Sequence, residues 1–168
     1  MNDLQIFEVM RDIVLSVTGV PECIMADQVA PAPAGEYAAI NPRNGVQQFG
    51  RGIVERNQIP GQLVESKVRT QNIQRCTVNF YRGNALERCE KLENANRLSN
   101  VSVKLFQSGL SWQKTDPMNN LTALQSGRME QRASIDVYLM YETVISDTIN
   151  NVEHATVEVE DFDLESGE

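Results

Sequence analysis

The reactive side chains of this 168-residue chain are few and scattered. His154 is its sole histidine, so hydrolysis by a nucleophile, a base and an orienting acid would have to use it. It stands between Glu153 and Ala155 in an alternating stretch that reads as an exposed strand, a poor setting for a general base. Glu158 and Glu160 would point to one side of that strand, where paired carboxylates suit acid–base work on a sugar or loose binding of calcium. In so acidic a terminus, solvated charge is the simpler reading. Cys23, Cys76 and Cys89 are odd in number and form no CxxC, and one histidine cannot complete a four-ligand zinc site with them. Gly45, Gly50 and Gly52 match no GxGxxG spacing, and no lysine–serine pair follows to cradle a phosphate. Arg43, Arg51, Arg56, Lys67 and Arg69 would suit nucleic acid. Against that stand a pI of about 4.7 and a single interleaved aromatic, Phe49. These residues predict a protein without catalysis, cofactor or metal, and direct attention to surfaces.

Charge is unevenly placed. From Val152 onward there are seven acids and no base, and the remainder holds 16 acids against 15 bases. The formal charge of −8 therefore belongs mostly to the C-terminal end. Arg43 to Lys91 holds nine bases and four acids, so one molecule has a basic middle and an acidic end, which suits head-to-tail contact between copies and equally a solvated charged face with a frayed tail. The candidate interface side chains are Phe49, Arg51, Ile53, Arg56, Lys67, Arg69, Glu158 and Glu160. The first ten residues lack a basic leader segment, and no apolar run approaches membrane-spanning length. Three unpaired cysteines fit a reducing place of synthesis.

The elements that must position these residues centre on Thr70 to Leu92. Cys76, Val78 and Phe80 alternate with Arg75, Thr77, Asn79 and Tyr81, the signature of a half-buried strand. Gly83 turns the chain into a helix over Ala85 to Leu98, with Asn84 and Glu87 placed for a capping box. That helix should lie across its own sheet and bury Ala85, Cys89, Leu92 and Ala95. Upstream, Asn2 to Thr18 reads as an amphipathic helix ended by Gly19, and a Pro-rich turn and a short strand Tyr37 to Ile40 follow. Asn41 to Gly61 shows no sustained period and reads as a binding loop. Gln62 to Thr70 is expected to pair with Asn72 to Tyr81 as a hairpin. Asn100 to Ser108 fits either period, but Ser99 as a cap and Gly109 as a stop favour a short helix, and Ser111 to Thr115 reads as a short strand. A long strand over Gly127 to Ile145 turns at Asp147 to Asn151 and pairs with His154 to Glu160. The expected class is α/β of the α+β kind, a mixed, mainly antiparallel sheet flanked by two helices, with extended hairpins. One domain spans residues 1–161, and 162–168 is a frayed acidic end.

The order of these elements resembles the neck or tail terminator proteins of long-tailed bacteriophages over roughly Leu4 to Val159. The residues that carry it are CTVNFYRGNALERCEKL, the short helix ending in SGL, Asp116-Pro117 and the strand GRMEQRASIDVYLMY. Arg82 interrupts the Phe-Tyr-Gly that the family shows at the strand end, and 41–61 and the acidic end match nothing in it. The resemblance implies a virion structural protein of the tail or neck, assembled in the host cytoplasm. It implies a ring of six copies that caps the tail tube and stops its growth. Its partners would be the tail-tube protein and a head-completion or connector protein, with genomic DNA passing the lumen without specific binding. Another connector ring or a tail-tube subunit is the alternative, ahead of a nucleic-acid binder or an enzyme.

Overall fold

A computed structural model describes residues 2–29, 31–60, 63–125 and 128–150. The elements are α1 (Asp3–Thr18), β1 (Cys23–Met25), β2 (Tyr37–Ile59), β3 (Leu63–Tyr81), α2 (Ala85–Glu93), a 3-10 turn (Ala95–Arg97) and α3 (Ser99–Gln107). They continue with β4 (Ser111–Thr115), β5 (Asn119–Asn120), β6 (Ala123–Gln125), β7 (Arg128–Glu130) and β8 (Arg132–Asn150). The main sheet has the order β1-β2-β3-β8-β4, with β5 also on β8. Among the described strands only β1 pairs in parallel, so the class is the mixed, mainly antiparallel α+β arrangement expected. β6 and β7 form a separate hairpin.

α1 starts where the sequence places it. Asn2 Oδ1 accepts from the Gln5 amide at 2.8 Å and Gln5 Oε1 accepts from the Asn2 amide at 3.0 Å, satisfying two donors reciprocally. Gly19, at φ 65°, supplies the left-handed residue that ends the helix. The inner face buries Ile6, Phe7, Met10, Ile13 and Val14, while Leu4 stays exposed in the first turn. α2 does lie on its own sheet, with Ala85, Cys89, Leu92 and Ala95 fully buried in one core with Cys76, Val78 and Phe80. Its start differs from expectation: Asn84 makes no side-chain cap, and Glu87 instead pairs with Lys91 one turn on, at 2.7 Å. Its end also comes early, at Glu93, where the Asn94 side chain donates to the Glu90 carbonyl at 3.0 Å and the chain tightens into the 3-10 turn. The ambiguous 100–108 stretch is helix, burying Val101 and Leu105 and tied to α1 by Lys104 donating to Asp12 Oδ2 at 2.7 Å. That bond is the main reason the Asp12 carboxyl is held below its ordinary range.

The strands correct three further readings. The 41–61 segment is not a loop: residues 41–59 continue β2, paired with β3 down to Ile59 opposite Leu63. Its period is hidden because β2 has interruptions between Asn41 and Gly45 and between Phe49 and Ile53, and lies exposed on both faces beyond them. Gln62 to Tyr81 is not a hairpin either, since Leu63 to Tyr81 is one strand running between β2 and β8. β8 passes through the expected turn at 147 and pairs as far as Asn150 with Leu63. The expected strand at His154 to Glu160, its hairpin, and the acidic end lie outside the described residues.

At the β3–α2 junction the residue that interrupts the family motif has a defined role. Arg82 sits at φ 66°, the left-handed region that glycine enters freely. Its Nη1 donates to the carbonyls of Pro33, Ala34 and Gly35 at 2.7, 2.6 and 3.1 Å, pinning the Pro-rich turn beside the stacked rings of Tyr37 and Tyr81. These charge-assisted bonds offset the backbone cost. Arg82→Ala keeps that cost and loses the clamp, whereas Arg82→Gly loses only the clamp. Urea unfolding should therefore find the glycine variant more stable than the alanine variant by about 1 kcal/mol.

Candidate interaction arm

Strand geometry divides the sheet into a covered end and a bare end. In β8 every second residue from Ala133 to Tyr141 is buried, and from Glu142 to Asn150 all are exposed. In β3 the buried alternation runs from Gln74 to Phe80 and is absent from Leu63 to Ile73. At about 3.3 Å per residue, the stretch of β3 from Leu63 to Gln71, which pairs with the exposed part of β8, extends about 30 Å. With the paired parts of β2 and β8 it forms, among the described residues, a three-stranded arm, which α1, α2 and α3 leave uncovered. At its base the fully buried Gln74 donates through Nε2 to the Pro42 carbonyl at 3.2 Å, fastening the first β2 interruption to the central strand.

Directly paired residues share a face, so the two sides of the arm can be read from the register. The side continuous with the core, here called the helix side, carries Val54, Val68 and Ile145 in one row, and Val64 with Ile149 further out. Its charges are Arg56 and Asp147, set across Ser66. The opposite side is a ladder of ions. Arg69 lies between Glu55, at 3.2 Å, and Glu142, at 3.0 Å, and these two carboxylates, Glu55 first, push its pKa further up. Lys67 meets Glu65 at 3.1 Å.

The interface candidates named from sequence are only partly brought together. Phe49, Ile53, Lys67 and Arg69 share the ladder side, with Phe49 54% and Ile53 63% exposed. Arg56 is on the helix side, and Arg51 falls in the second β2 interruption. Glu158 and Glu160 lie outside the described residues. Sequence reasoning missed Val54, Val64, Val68, Ile145 and Ile149. The only trace of them in β3 is that Val64 and Val68 fall in the phase of Cys76, Val78 and Phe80, with the polar residues Thr70, Asn72 and Gln74 between. Lys67 and Arg69 have their charge matched inside the arm. The described arm holds Arg51, Arg56, Lys67 and Arg69 against Glu55, Glu65, Glu142 and Asp147, and is neutral.

Away from the arm, a groove of about 510 Å³ runs beneath the Pro-rich turn, lined by Tyr37, Tyr81, Asn41 and Asn79, with Glu22 and Asp27 as its carboxylates. No three His, Cys, Asp or Glu side chains converge among the described residues, and none of their helices is long and apolar enough to cross a membrane. Burial pushes the Cys23 and Cys89 thiols up to about 12 and raises Cys76 as well. The thiolate is the reactive form, so native Cys76 and Cys89 should resist a disulfide reagent at about pH 8 and react at once in denaturant. Rapid native labelling of either would contradict this packing.

A comparison with curated proteins gives no significant match. The family model described as "Phage neck terminator protein" matches residues 4–163, which includes both the covered core and the arm. The chain therefore belongs to the phage neck terminator protein family, structural proteins of the virion neck.

Proposed function

We propose that this chain closes with copies of itself into a ring of six on the head-proximal end of the tail tube. There it ends tube growth and joins the tail to a head-completion or connector protein. The observation that carries the reading is the arm, a three-stranded extension bare on both faces. A lone domain gains little from such a structure, because among the described residues its apolar side chains stay in water and its edge strands have backbone groups without a strand partner. Contact with other subunits gives those groups partners. A heterologous contact repeated with a fixed rotation closes into a ring, and a ring has two different faces. One face complementary to the tube end and another that is not would permit docking and forbid further stacking. Genomic DNA would pass the lumen without specific binding, which a neutral arm and an acidic chain favour over tight phosphate contact.

The test is tube length. Tail-tube protein polymerised alone should give tubes of unrestricted length, and adding this protein should give short tubes with a visible cap at one end. Unchanged lengths and bare ends would contradict the capping role.

A further inference from the structure

On the ring reading above, we infer that the helix side of one copy's arm is covered by α3 of the next copy. That side continues the sheet face which α1, α2 and α3 cover at the core, and it presents Val54, Val68 and Ile145 side by side with none of the described helices above them. Ile145 is 65% exposed. α3 has the converse deficiency. It turns Val101 and Leu105 into its own core and leaves Val103 and Phe106 outside, one helical turn apart, with Phe106 83% exposed. The rest of its outward surface is uncharged, and Lys104 is occupied by Asp12. A bare apolar sheet face and a bare apolar helix face are the two halves of the layer packing that this chain uses in its core. Within one copy they do not meet, because Val103 and Phe106 point away from the sheet that Val101 and Leu105 face. Between copies the contact joins two different surfaces and leaves an arm and an α3 free at the ends, so it propagates until the ring closes.

Size adds a consequence. Three strands about 4.8 Å apart and about 30 Å long offer roughly 400 Å² of footprint on one side. A stable pair usually buries about 800 Å² per partner. This contact alone is therefore too small for a lasting dimer, and closed rings should appear without a populated dimer.

The test uses the full chain carrying Ile145→Cys, Phe106→Cys or both, oxidised mildly and run on a non-reducing gel. Both positions are exposed, so the fold tolerates them, and the parent chain controls for its native cysteines. A ladder of covalent multimers in the double variant alone is the expected result. Rings seen by light scattering with no ladder in the double variant would overturn the contact and leave the ring reading intact. Covalent dimers from Ile145→Cys alone would mean that arms pair face to face, and would also overturn it. Failure of the parent chain to associate at any concentration would overturn the ring reading and this contact with it. As a second readout, Phe106→Ser should raise the concentration needed for ring formation at least tenfold while leaving the unfolding curve unmoved, and an unchanged threshold would count against it.

Discussion

Val68→Asp is expected to yield a folded monomer that no longer associates. Val68 is the middle residue of the arm's apolar row, between Val54 and Ile145, and it is half-buried in the lone chain. Within the monomer the change removes two cross-strand aliphatic contacts and leaves the new carboxylate in water, a cost of at most about 1 kcal/mol. Under a neighbour's helix the same carboxylate would lose its hydration without a partner. Effective penalties for that are several kcal/mol, and each 1.4 kcal/mol is about tenfold in the association constant. Association should fall about a hundredfold or more while the unfolding midpoint moves little. The apolar row also implies that wild-type association survives high salt, since Lys67 and Arg69 are already matched within the arm. Light scattering of wild type and variant across a salt series checks both. Oligomers of Val68→Asp as stable as wild type would remove the helix side from the interface.

Phe80→Ala should have the opposite profile, an unstable core with no selective effect on assembly. Phe80 is 1% exposed and is the largest fully buried side chain among the described residues. Its partners across the sheet are Ala38 on one side and Ala133 on the other, so the ring fills space that its neighbours leave open. Short neighbours cannot collapse into the vacated volume, which places the loss toward the upper end of the usual 3–5 kcal/mol for such a change. Against a total stability of about 5–15 kcal/mol, that is enough to populate unfolded chain near body temperature. Urea unfolding followed by the fluorescence of Trp112, which packs on the core, measures it. A loss below about 1 kcal/mol would mean that the core is not organised around this ring.

The covered end of the sheet was legible in the sequence and the arm was not, for a physical reason. Burial on one face writes alternation into a strand, as in Cys76–Val78–Phe80 and Ile135–Val137–Leu139. Where both faces meet solvent in the monomer, nothing selects for period two. The β2 hydrophobes illustrate this: Val46 and Val54 face one side, and Phe49, Ile53 and Ile59 the other. Glycines at 45, 50 and 52 and two interruptions completed the appearance of a loop. The same open pattern misled the reading of β3, where Val64 and Val68 hold the phase of the core strand although the polar run from Arg69 to Asn72 reads as the tip of a hairpin. Helices were read well where caps are local, as at Asn2 and Gly19, and less well at Asn84, whose neighbour Glu87 found a better partner in Lys91. The interface candidates were chosen by charge. The register then shows that Lys67 and Arg69 are already paired within the arm, and that the aliphatic residues beside them carry the uncommitted surface.

The central claim is that this neck protein associates through its arm into a ring of six. The most direct measurement is the solution mass of the purified full chain by light scattering over a range of concentrations, with negative-stain images of the same samples. The account expects monomer and six-fold rings with little in between. A protein that remains monomeric throughout, or that stops at a stable dimer, would contradict it.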